Sequence, residues 1–264
     1  MTVISSRENK IIKELVRFKK AGFRKENDLI IIDGAREISA AIAAGVNIQS
    51  LFCCPPLIKT ASGKYGNFFG LDQEKIITVS PAVFERICYK ENPDGFFATA
   101  SSPRKSLSDI KSKNQPLIII LERVEKPGNL GAILRTAHAV HAAAVIINDS
   151  QTDIYNPNVI RASEGYVFFQ TVVCATIEET VKWLKENKIK SFAAATSGAK
   201  RYTEADLNIP AAIVLGSEAD GLSATWLKEA DQLIKIPMSE GLDSLNVSVA
   251  AAVIAFEALR QRAV

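Results

Sequence analysis

The sequence has few of the residues that build disulfide frameworks and metal sites. It contains 4 cysteines and 2 histidines among 264 residues. Cys53 and Cys54 are adjacent, and no two cysteines have the CxxC spacing, so we predict neither a disulfide framework nor a zinc site. His138 and His141 have no cysteine or acidic companion nearby in the sequence, so we predict no bound metal.

Long hydrophobic runs and an export signal are also missing. Apolar runs such as Ile30–Ile32 and Leu117–Leu121 are far shorter than the ~20 residues that cross a bilayer. The first residues, up to Arg7, do not follow the basic-then-apolar order of a signal peptide. These absences predict a cytoplasmic protein that does not bind membranes.

Several common catalytic motifs are absent as well. The sequence has no GxGxxG after a predicted strand and no GxxxxGK[ST], so dinucleotide and P-loop nucleotide binding lose their main support. It has no GxSxG, which disfavours covalent acyl transfer. An oxidoreductase built on a doubly wound sheet stays an alternative that a test of NAD binding would decide.

The composition and charge are those of a folded protein of about two domains. Hydrophobic residues make up 47% and charged residues 23% of the chain. The net charge is +3, but residues 1–105 carry 16 basic and 11 acidic residues, and the remainder carries 16 and 18. A basic leading segment is typical of a surface that binds polyanions, and a solvated helix face is the ordinary alternative. The basic residues of the first 25 are Arg7, Lys10, Lys13, Arg17, Lys19, Lys20, Arg24 and Lys25.

The hydrophobic pattern divides the chain into two α/β domains. We place a first domain at residues 1–105, a Ser-, Lys- and Pro-rich linker at 106–115 and a second domain at 116–264. In the first domain Ser5 or Ser6 is expected to cap a basic, amphipathic helix whose apolar face consists of Ile11, Leu15 and Phe18. Short strands and helices follow it in alternation. The predicted strands of this domain are Leu29–Ile32, Ile48–Cys53, Ile76–Val79 and Phe96–Ala100.

The second domain is expected to contain a parallel sheet, because its predicted strands are apolar almost throughout and need cover on both faces. A long helix is predicted to close the chain from Leu245 to Arg262, with one apolar face buried. The predicted strands are Leu117–Leu121, Ala144–Ile147, Lys190–Ala195, Ala212–Leu215 and Gln232–Ile236. The predicted buried face of the last helix consists of Leu245, Val249, Ala252, Phe256 and Leu259.

Three loops of the second domain carry candidate functional residues, at residues 126–139, 214–223 and 236–252. Each follows a predicted strand, and open parallel sheets bind ligands at the carboxyl ends of their strands. In the first loop, Asn129 is a good helix cap and Arg135 is expected in the first or second turn of that helix.

Local structure alone would explain much of these loops. Glycines such as Gly216 permit tight turns beside Glu218, and Asp243 or Ser244 can cap the last helix. Capping does not explain Asn246, which is expected in the first turn of that helix.

Taken together, the loops resemble the three signature motifs of the SpoU (TrmH-like) family of RNA ribose 2′-O-methyltransferases, in the SPOUT superfamily. The resemblance covers the whole second domain. The similar segments are NLGAILRTA at 129–137, NPNVIRASEG at 156–165, IVLGSEADGLS at 213–223 and IPMSEGLDSLNVSVAAA at 236–252. The first domain is similar to the family's ribosomal-protein-like substrate-binding extension through LIIIDGAREISAAIAAG at 29–45, although more loosely.

The resemblance implies a C-terminal trefoil-knotted α/β domain that binds S-adenosylmethionine and works as a homodimer. By the family pattern, the cofactor lies against Thr196, Gly216, Ile236 and Leu245. The polar active-site positions correspond to Asn129, Arg135, Glu218, Ser244 and Asn246.

The resemblance also implies roles for these polar residues. We expect Arg135 to clamp a phosphate and stabilise the developing alkoxide, because a guanidinium stays protonated in proteins and is therefore a poor base. Asn129, Ser244 and Asn246 are expected to orient the ribose and the loops. Glu218 is expected to organise the site by hydrogen bonds to Arg135 or to loop backbone, with a role as general base as its alternative.

The function predicted in this way is S-adenosylmethionine-dependent 2′-O-methylation of structured RNA, with 23S-type rRNA preferred. Methylation of tRNA is the nearest alternative. A non-catalytic RNA-binding or ribosome-assembly factor on the same fold is the alternative from another class, and the intact polar positions argue against it.

Overall fold

The computed structural model describes residues 3–58, 71–111, 115–150, 152–198, 200–241 and 243–262, without the side chain of Lys25. The helices are α1 (Lys10–Arg17), α2 (Ala21–Glu26), α3 (Ala35–Ala43), α4 (Pro81–Ile87), α5 (Pro127–Ala139), α6 (Pro157–Ala162), α7 (Ile177–Glu186), α8 (Ala224–Glu229) and α9 (Val247–Arg262). The strands are β1 (Leu29–Asp33), β2 (Ile48–Cys53), β3 (Ile76–Thr78), β4 (Phe96–Ser101), β5 (Leu117–Glu122), β6 (Ala144–Asn148), β7 (Val172–Ala175), β8 (Lys190–Ala194), β9 (Lys200–Arg201), β10 (Ala211–Leu215) and β11 (Gln232–Lys235).

The described residues form two compact units. The first comprises Met1–Pro103 together with Asp153–Phe169, and the second comprises Arg104–Thr152 together with Gln170–Val264. The first break in the chain path lies close to the predicted end of the first domain at residue 105. The assignment of residues 153–169 to the first unit has no counterpart in the predicted boundaries, which leave them in the second domain.

The first unit contains a four-stranded mixed sheet in the order β1-β4-β2-β3. β4 runs antiparallel to both β1 and β2, and β2 is parallel to β3. The four strands predicted in this part of the chain are confirmed, because each is a short β-branched or aromatic run between turn residues. One face of α1 and of α4 supplies core residues, including Ile12, Leu15 and Phe84.

The start of α1 differs from the prediction. Asn9, rather than Ser5 or Ser6, is its N-cap, and its side chain accepts a hydrogen bond of 2.9 Å from Ile11 N. The helix therefore begins later than expected, while Leu15 and Phe18 are buried as the apolar pattern predicts. Ile12 is buried and Ile11 is 43% exposed, so the expected burial of Ile11 is wrong.

Residues 153–169 are tied to the first unit by charge and by close backbone packing. The nearly buried Arg24 contacts Asp153 at 2.7 Å, and Arg36 contacts Glu164 at 3.2 Å. Gly165 has φ +83°, and a β-carbon on it would lie 2.6 Å from that of Ala40. Only glycine meets both demands at this position.

The second unit is built on a seven-stranded sheet in the order β7-β6-β5-β10-β8-β11-β9, in which every neighbouring pair is parallel. The expected parallel sheet is confirmed, and its central strands β5 and β10 are buried along their whole length. β7 and β9 at the two edges were not predicted. The region predicted as an exposed linker contains a short 3-10 turn at Leu107–Asp109 and a buried Ile110, while residues 112–114 lie outside the described part.

The predicted buried face of α9 is wrong. The helix packs against α5 and β10 through the opposite side. Its buried residues are Val247, Ala251, Ile254, Ala255 and Ala258. Val249 and Phe256 are 48% and 50% exposed. The sequence is apolar almost all round this helix, so periodicity does not distinguish its two faces, and the small alanine side chains allow the closer approach to α5.

The four cysteines are all free thiols, and burial raises the pKa of Cys53 to about 11. Within the ranges that the structure describes, no three potential metal ligands form a cluster. No helix in those ranges has the length and hydrophobicity required to cross a membrane.

Candidate active site

A cavity of about 380 Å³ lies at the carboxyl ends of β8, β10 and β11 in the second unit. Its size is within the range of small-molecule sites, and its position is that of ligand sites in open parallel sheets. All four residues predicted to contact a cofactor, Thr196, Gly216, Ile236 and Leu245, line this single cavity.

The loop after β10 forms one wall of the cavity through seven consecutive residues, from Gly216 to Leu222. Ser217 N donates to Gly221 O, and Gly221 N donates to Ser217 O, both at 3.1 Å. A β-carbon on Gly216 would lie 2.1 Å from the carbonyl carbon of Gly221. The loop therefore folds back against bare backbone, and this fold requires glycine at position 216.

The loop after β8 forms a second wall and is held by backbone contacts to β11. Ala195 N donates to Ile234 O at 2.9 Å, and Gly198 N donates to Ala195 O at 3.0 Å. A β-carbon on Gly198 would lie 2.6 Å from the carbonyl carbon of Ile234. These contacts place the exposed Thr196 at the cavity.

The third wall comes from the segment between β11 and α9. Ile236, Met238 and Leu245 contribute apolar surface, and Asp243 and Ser244 contribute polar groups. The charged residues among the described lining residues are Glu218, Asp220 and Asp243, all acidic. The cavity therefore combines apolar surface with a charge that favours a cationic ligand.

A chain of hydrogen bonds joins the three predicted loops beside the cavity. Asn129 donates from Nδ2 to Glu218 Oε1, and Asn246 donates from Nδ2 to Asn129 Oδ1 at 3.2 Å. Asn246 also accepts from Ser248 N at 2.9 Å through Oδ1 and so takes the capping position that was expected for Asp243 or Ser244. Residues far apart in sequence thus form one polar group.

Asn129 does not cap α5 as expected. The helix begins at Pro127 with Lys126 in the capping position, so Asn129 is the third helical residue. A proline at the start of a helix sacrifices no hydrogen bond, which explains the earlier start. The amide of Asn129 is engaged by Glu218 and Asn246 instead.

Arg135 is the ninth residue of α5, one turn later than expected, and it is exposed. It is not among the described residues that line the cavity. The structure therefore places four of the five predicted catalytic residues at the cavity or in the hydrogen-bonded group next to it: Asn129, Glu218, Ser244 and Asn246.

Sequence reasoning missed Glu122, the last residue of β5. Its side chain is 1% exposed, and it accepts a hydrogen bond of 2.8 Å from Ser223 N at the end of the cavity loop. A charged residue that ends the otherwise apolar run LIIILE was the available signal, because charged groups are rarely buried without partners.

Comparisons with known proteins agree with this arrangement. The profile of the SpoU rRNA Methylase family matches residues 116–256, and that of the MRM3-like substrate binding domain matches residues 9–98. The chain is 25% identical to the 23S rRNA (guanosine(2553)-2'-O)-methyltransferase RlmP of Bacillus subtilis, over 97% of this chain and 98% of that protein.

Solved structures are similar over the same extent. A crystal structure of an RNA 2'-O ribose methyltransferase is 36% identical and covers 100% of both chains with a TM-score of 0.87. The AdoMet-bound rRNA methyltransferase of Sinorhizobium meliloti is 26% identical, with a TM-score of 0.86 over 98% of this chain and 97% of that one. The predicted α/β architecture with its parallel sheet is therefore confirmed.

Proposed function

The chain belongs to the SpoU rRNA methylase family, and we propose that it transfers a methyl group from S-adenosylmethionine to the 2′-oxygen of a ribose in structured rRNA. The observation that carries this proposal is the hydrogen-bonded group of Asn129, Glu218 and Asn246 beside the glycine-walled cavity. The 23S-type rRNA is the preferred substrate, since RlmP, a relative matched over 98% of its length, is named for 23S rRNA.

The cavity residues fit S-adenosylmethionine, which supplies the methyl group on a positively charged sulfonium. Gly216 permits the close backbone packing of one wall, and Ile236 and Leu245 offer apolar surface for a flat base. Thr196 offers a hydroxyl. The acidic lining favours the positive charge, so the four predicted contacts are consistent with this cofactor.

Bound S-adenosylmethionine would supply the methyl carbon to the ribose 2′-oxygen, and the electron pair of the broken carbon–sulfur bond would stay on sulfur. The 2′-hydroxyl proton leaves to an acceptor. Arg135 clamps the adjacent phosphate and stabilises the developing alkoxide. Asn129, Ser244 and Asn246 orient the ribose and loops, and the Glu218 carboxylate holds Asn129 in place.

The domain at residues 1–105 is proposed to grip RNA phosphates, and the domain at 116–264 to carry the reaction. In α1, Lys10, Lys13 and Arg17 recur at three- and four-residue intervals and are exposed opposite the buried Ile12 and Leu15. Lys20, also exposed, follows directly. A row of cations on one helix face matches the repeating charge of an RNA backbone.

Replacing Lys10, Arg17 and Lys20 together with alanine is expected to weaken RNA binding and flatten its dependence on salt. Each lost phosphate contact lowers the slope of log K against log salt by about one. Filter binding between low and high salt measures this. Alanine at Lys182, Lys185 and Lys188, exposed on and just after α7, removes the same charge as a control; equal effects of the two triple variants would contradict the proposed surface.

The protein is proposed to work as a homodimer through the exposed apolar side of α9. Val249 and Phe256 are exposed there, and Val253 and Leu259 are half-buried on the same stretch. Contiguous apolar surface of this kind is typical of protein interfaces.

Phe256→Glu is expected to convert a dimer into a monomer, because a carboxylate buried at an apolar interface is left without a partner. Sedimentation velocity at several concentrations measures the change. Val3→Glu, at a similarly exposed apolar residue of the first unit, is the control and is expected to stay dimeric. A monomeric wild type would contradict the proposal.

Three further points stay predictions. Free thiols at all four cysteines support a reducing compartment and thus the cytoplasm. The trefoil knot is expected from family membership. Methylation of tRNA and a non-catalytic role in ribosome assembly stay the alternatives to the proposed function, and the assay below distinguishes them.

The assay is transfer of labelled methyl from S-adenosylmethionine to total RNA from cells that lack this protein, with Arg135→Ala as the inactive comparison. RNA from such cells has its target unmodified. Label in a 23S-type rRNA at a ribose 2′-oxygen is the expected result, and label in tRNA would select the alternative substrate. If no label is transferred and no cofactor binds, the result would favour the non-catalytic factor.

A further inference from the structure

Glu122 is a buried charge with a specific backbone partner at the carboxyl edge of the large sheet. It ends β5 in the middle of that sheet and is 1% exposed. Its Oε2 accepts from Ser223 N at 2.8 Å, and its Oε1 lies 3.7 Å from Arg123 Nε. Burial of a carboxylate costs several kcal/mol unless such partners compensate it, so this residue is expensive to retain for packing alone.

Arg123, the residue after Glu122, contacts a second residue of the cavity loop, Asp220. Its backbone has φ +52°, a left-handed conformation that non-glycine residues rarely adopt. Its N donates to Asn148 O at 3.0 Å, and its Nη1 lies 3.9 Å from Asp220 Oδ2. Glu122 and Arg123 together therefore contact Asp220 and Ser223 in the loop that walls the cavity.

A second set of hydrogen bonds holds the loop at the carboxyl edge of the large sheet. Ser223 is the N-cap of α8, and Trp226 in the first turn of that helix donates from Nε1 to Asn148 Oδ1 at 3.2 Å. Asn148 ends β6, the strand next to β5. The end of the loop is thus held by two neighbouring strands, and the start of the loop follows β10 directly.

We infer that Glu122 is a positioning residue that sets the conformation of the 216–223 loop and, through it, the cofactor wall at Gly216 and the hydrogen bond of Glu218 to Asn129. This inference rests on the proposed function. Glu122 touches neither reacting atom; it acts through the backbone of Ser223.

Glu122→Ala is expected to raise the dissociation constant for S-adenosylmethionine about tenfold, which corresponds to about 1.4 kcal/mol. The reason is that Ser223 N loses its buried acceptor and the loop samples other conformations. Glu122→Gln retains an acceptor oxygen of the same reach and is expected to restore binding to within about threefold. Titration calorimetry measures all three proteins.

Amide hydrogen exchange of the protein without cofactor supplies a second readout. Peptides that cover 216–223 are expected to exchange faster in Glu122→Ala than in wild type, and near the wild-type rate in Glu122→Gln. If the alanine variant does not fold, Glu122→Asp, which keeps the charge and withdraws the oxygen by one methylene, is expected to show the same acceleration.

Asp231→Ala is the matched control. Asp231 also ties a backbone amide with a carboxylate, accepting from Ser191 N at 2.8 Å, but at the amino end of β8. It is expected to leave cofactor binding and exchange of 216–223 unchanged. Wild-type binding and exchange in Glu122→Ala, or equal effects of the two alanine variants, would overturn the inference. A wild type that binds no S-adenosylmethionine would instead overturn the proposed cofactor, and the exchange data would still decide the role of Glu122.

Discussion

Gly216→Ala is expected to raise the dissociation constant for S-adenosylmethionine by about 10- to 100-fold. The added β-carbon would lie 2.1 Å from the carbonyl carbon of Gly221 and 2.4 Å from Leu222 N, and backbone cannot move aside as a flexible side chain can. Overpacking of this kind costs about 1–3 kcal/mol, and each 1.4 kcal/mol is tenfold in affinity. Titration calorimetry measures the affinity, and thermal unfolding reports any loss of stability.

Gly128→Ala is the matched control for this variant. Gly128 lies in the first turn of α5, near the same site, and a β-carbon on it would have no atom within 4 Å. Alanine in a helix is expected to stabilise slightly, by about 0.4–1 kcal/mol. Unchanged cofactor affinity in Gly216→Ala would show that the folded-back loop does not form the cofactor wall.

Arg135→Ala is expected to lower kcat by about 10²- to 10³-fold with little change in cofactor affinity. Removing one preorganised group that stabilises developing negative charge typically costs that much. Arg135→Lys is expected to recover only part of the loss, because an ammonium cannot replace a two-pronged guanidinium contact to phosphate. Methyl transfer at saturating RNA and cofactor measures both variants.

The comparison for Arg135 is Lys185→Ala, which removes an exposed cation from α7 in the same unit. Its kcat is expected to equal that of wild type. Full activity of Arg135→Lys would contradict the clamp and leave only a requirement for positive charge. A loss of RNA affinity without any loss of kcat in Arg135→Ala would limit the residue to RNA binding.

The strands of this protein were predictable because their signal is local. Runs such as Leu117–Leu121 and Ala211–Leu215 are apolar throughout, and turn residues flank them. The two missed strands lack that signal: β9 is only the two residues Lys200–Arg201, and β7 is a run of four, Val172–Ala175, that includes the exposed Cys174. They pair at the sheet edges, where the neighbouring strand supplies the order.

The candidate site was predictable as a set of residues but not as an arrangement. Resemblance to family motifs picked out Asn129, Glu218 and Asn246, which lie in three separate loops. Their hydrogen bonds required β5, β10 and β11 to share one sheet edge. Asn246, rather than Asp243 or Ser244, caps α9 because the helix begins only at Val247.

The sequence by itself determined the class of fold and most strand positions, since these follow from hydrophobic runs, and its resemblance to the family motifs implied the residues of the site. Only the tertiary structure decided which side of α9 is buried, that residues 153–169 pack with the first unit, and that Glu122 holds the cavity loop. The physical reason is that these outcomes depend on partners distant in sequence. Packing against α5 selects one of the two apolar faces of α9, and Arg24 and Arg36 form ion pairs with carboxylates far along the chain. The role of the buried Glu122 carboxylate is visible only beside the backbone amide that donates a hydrogen bond to it.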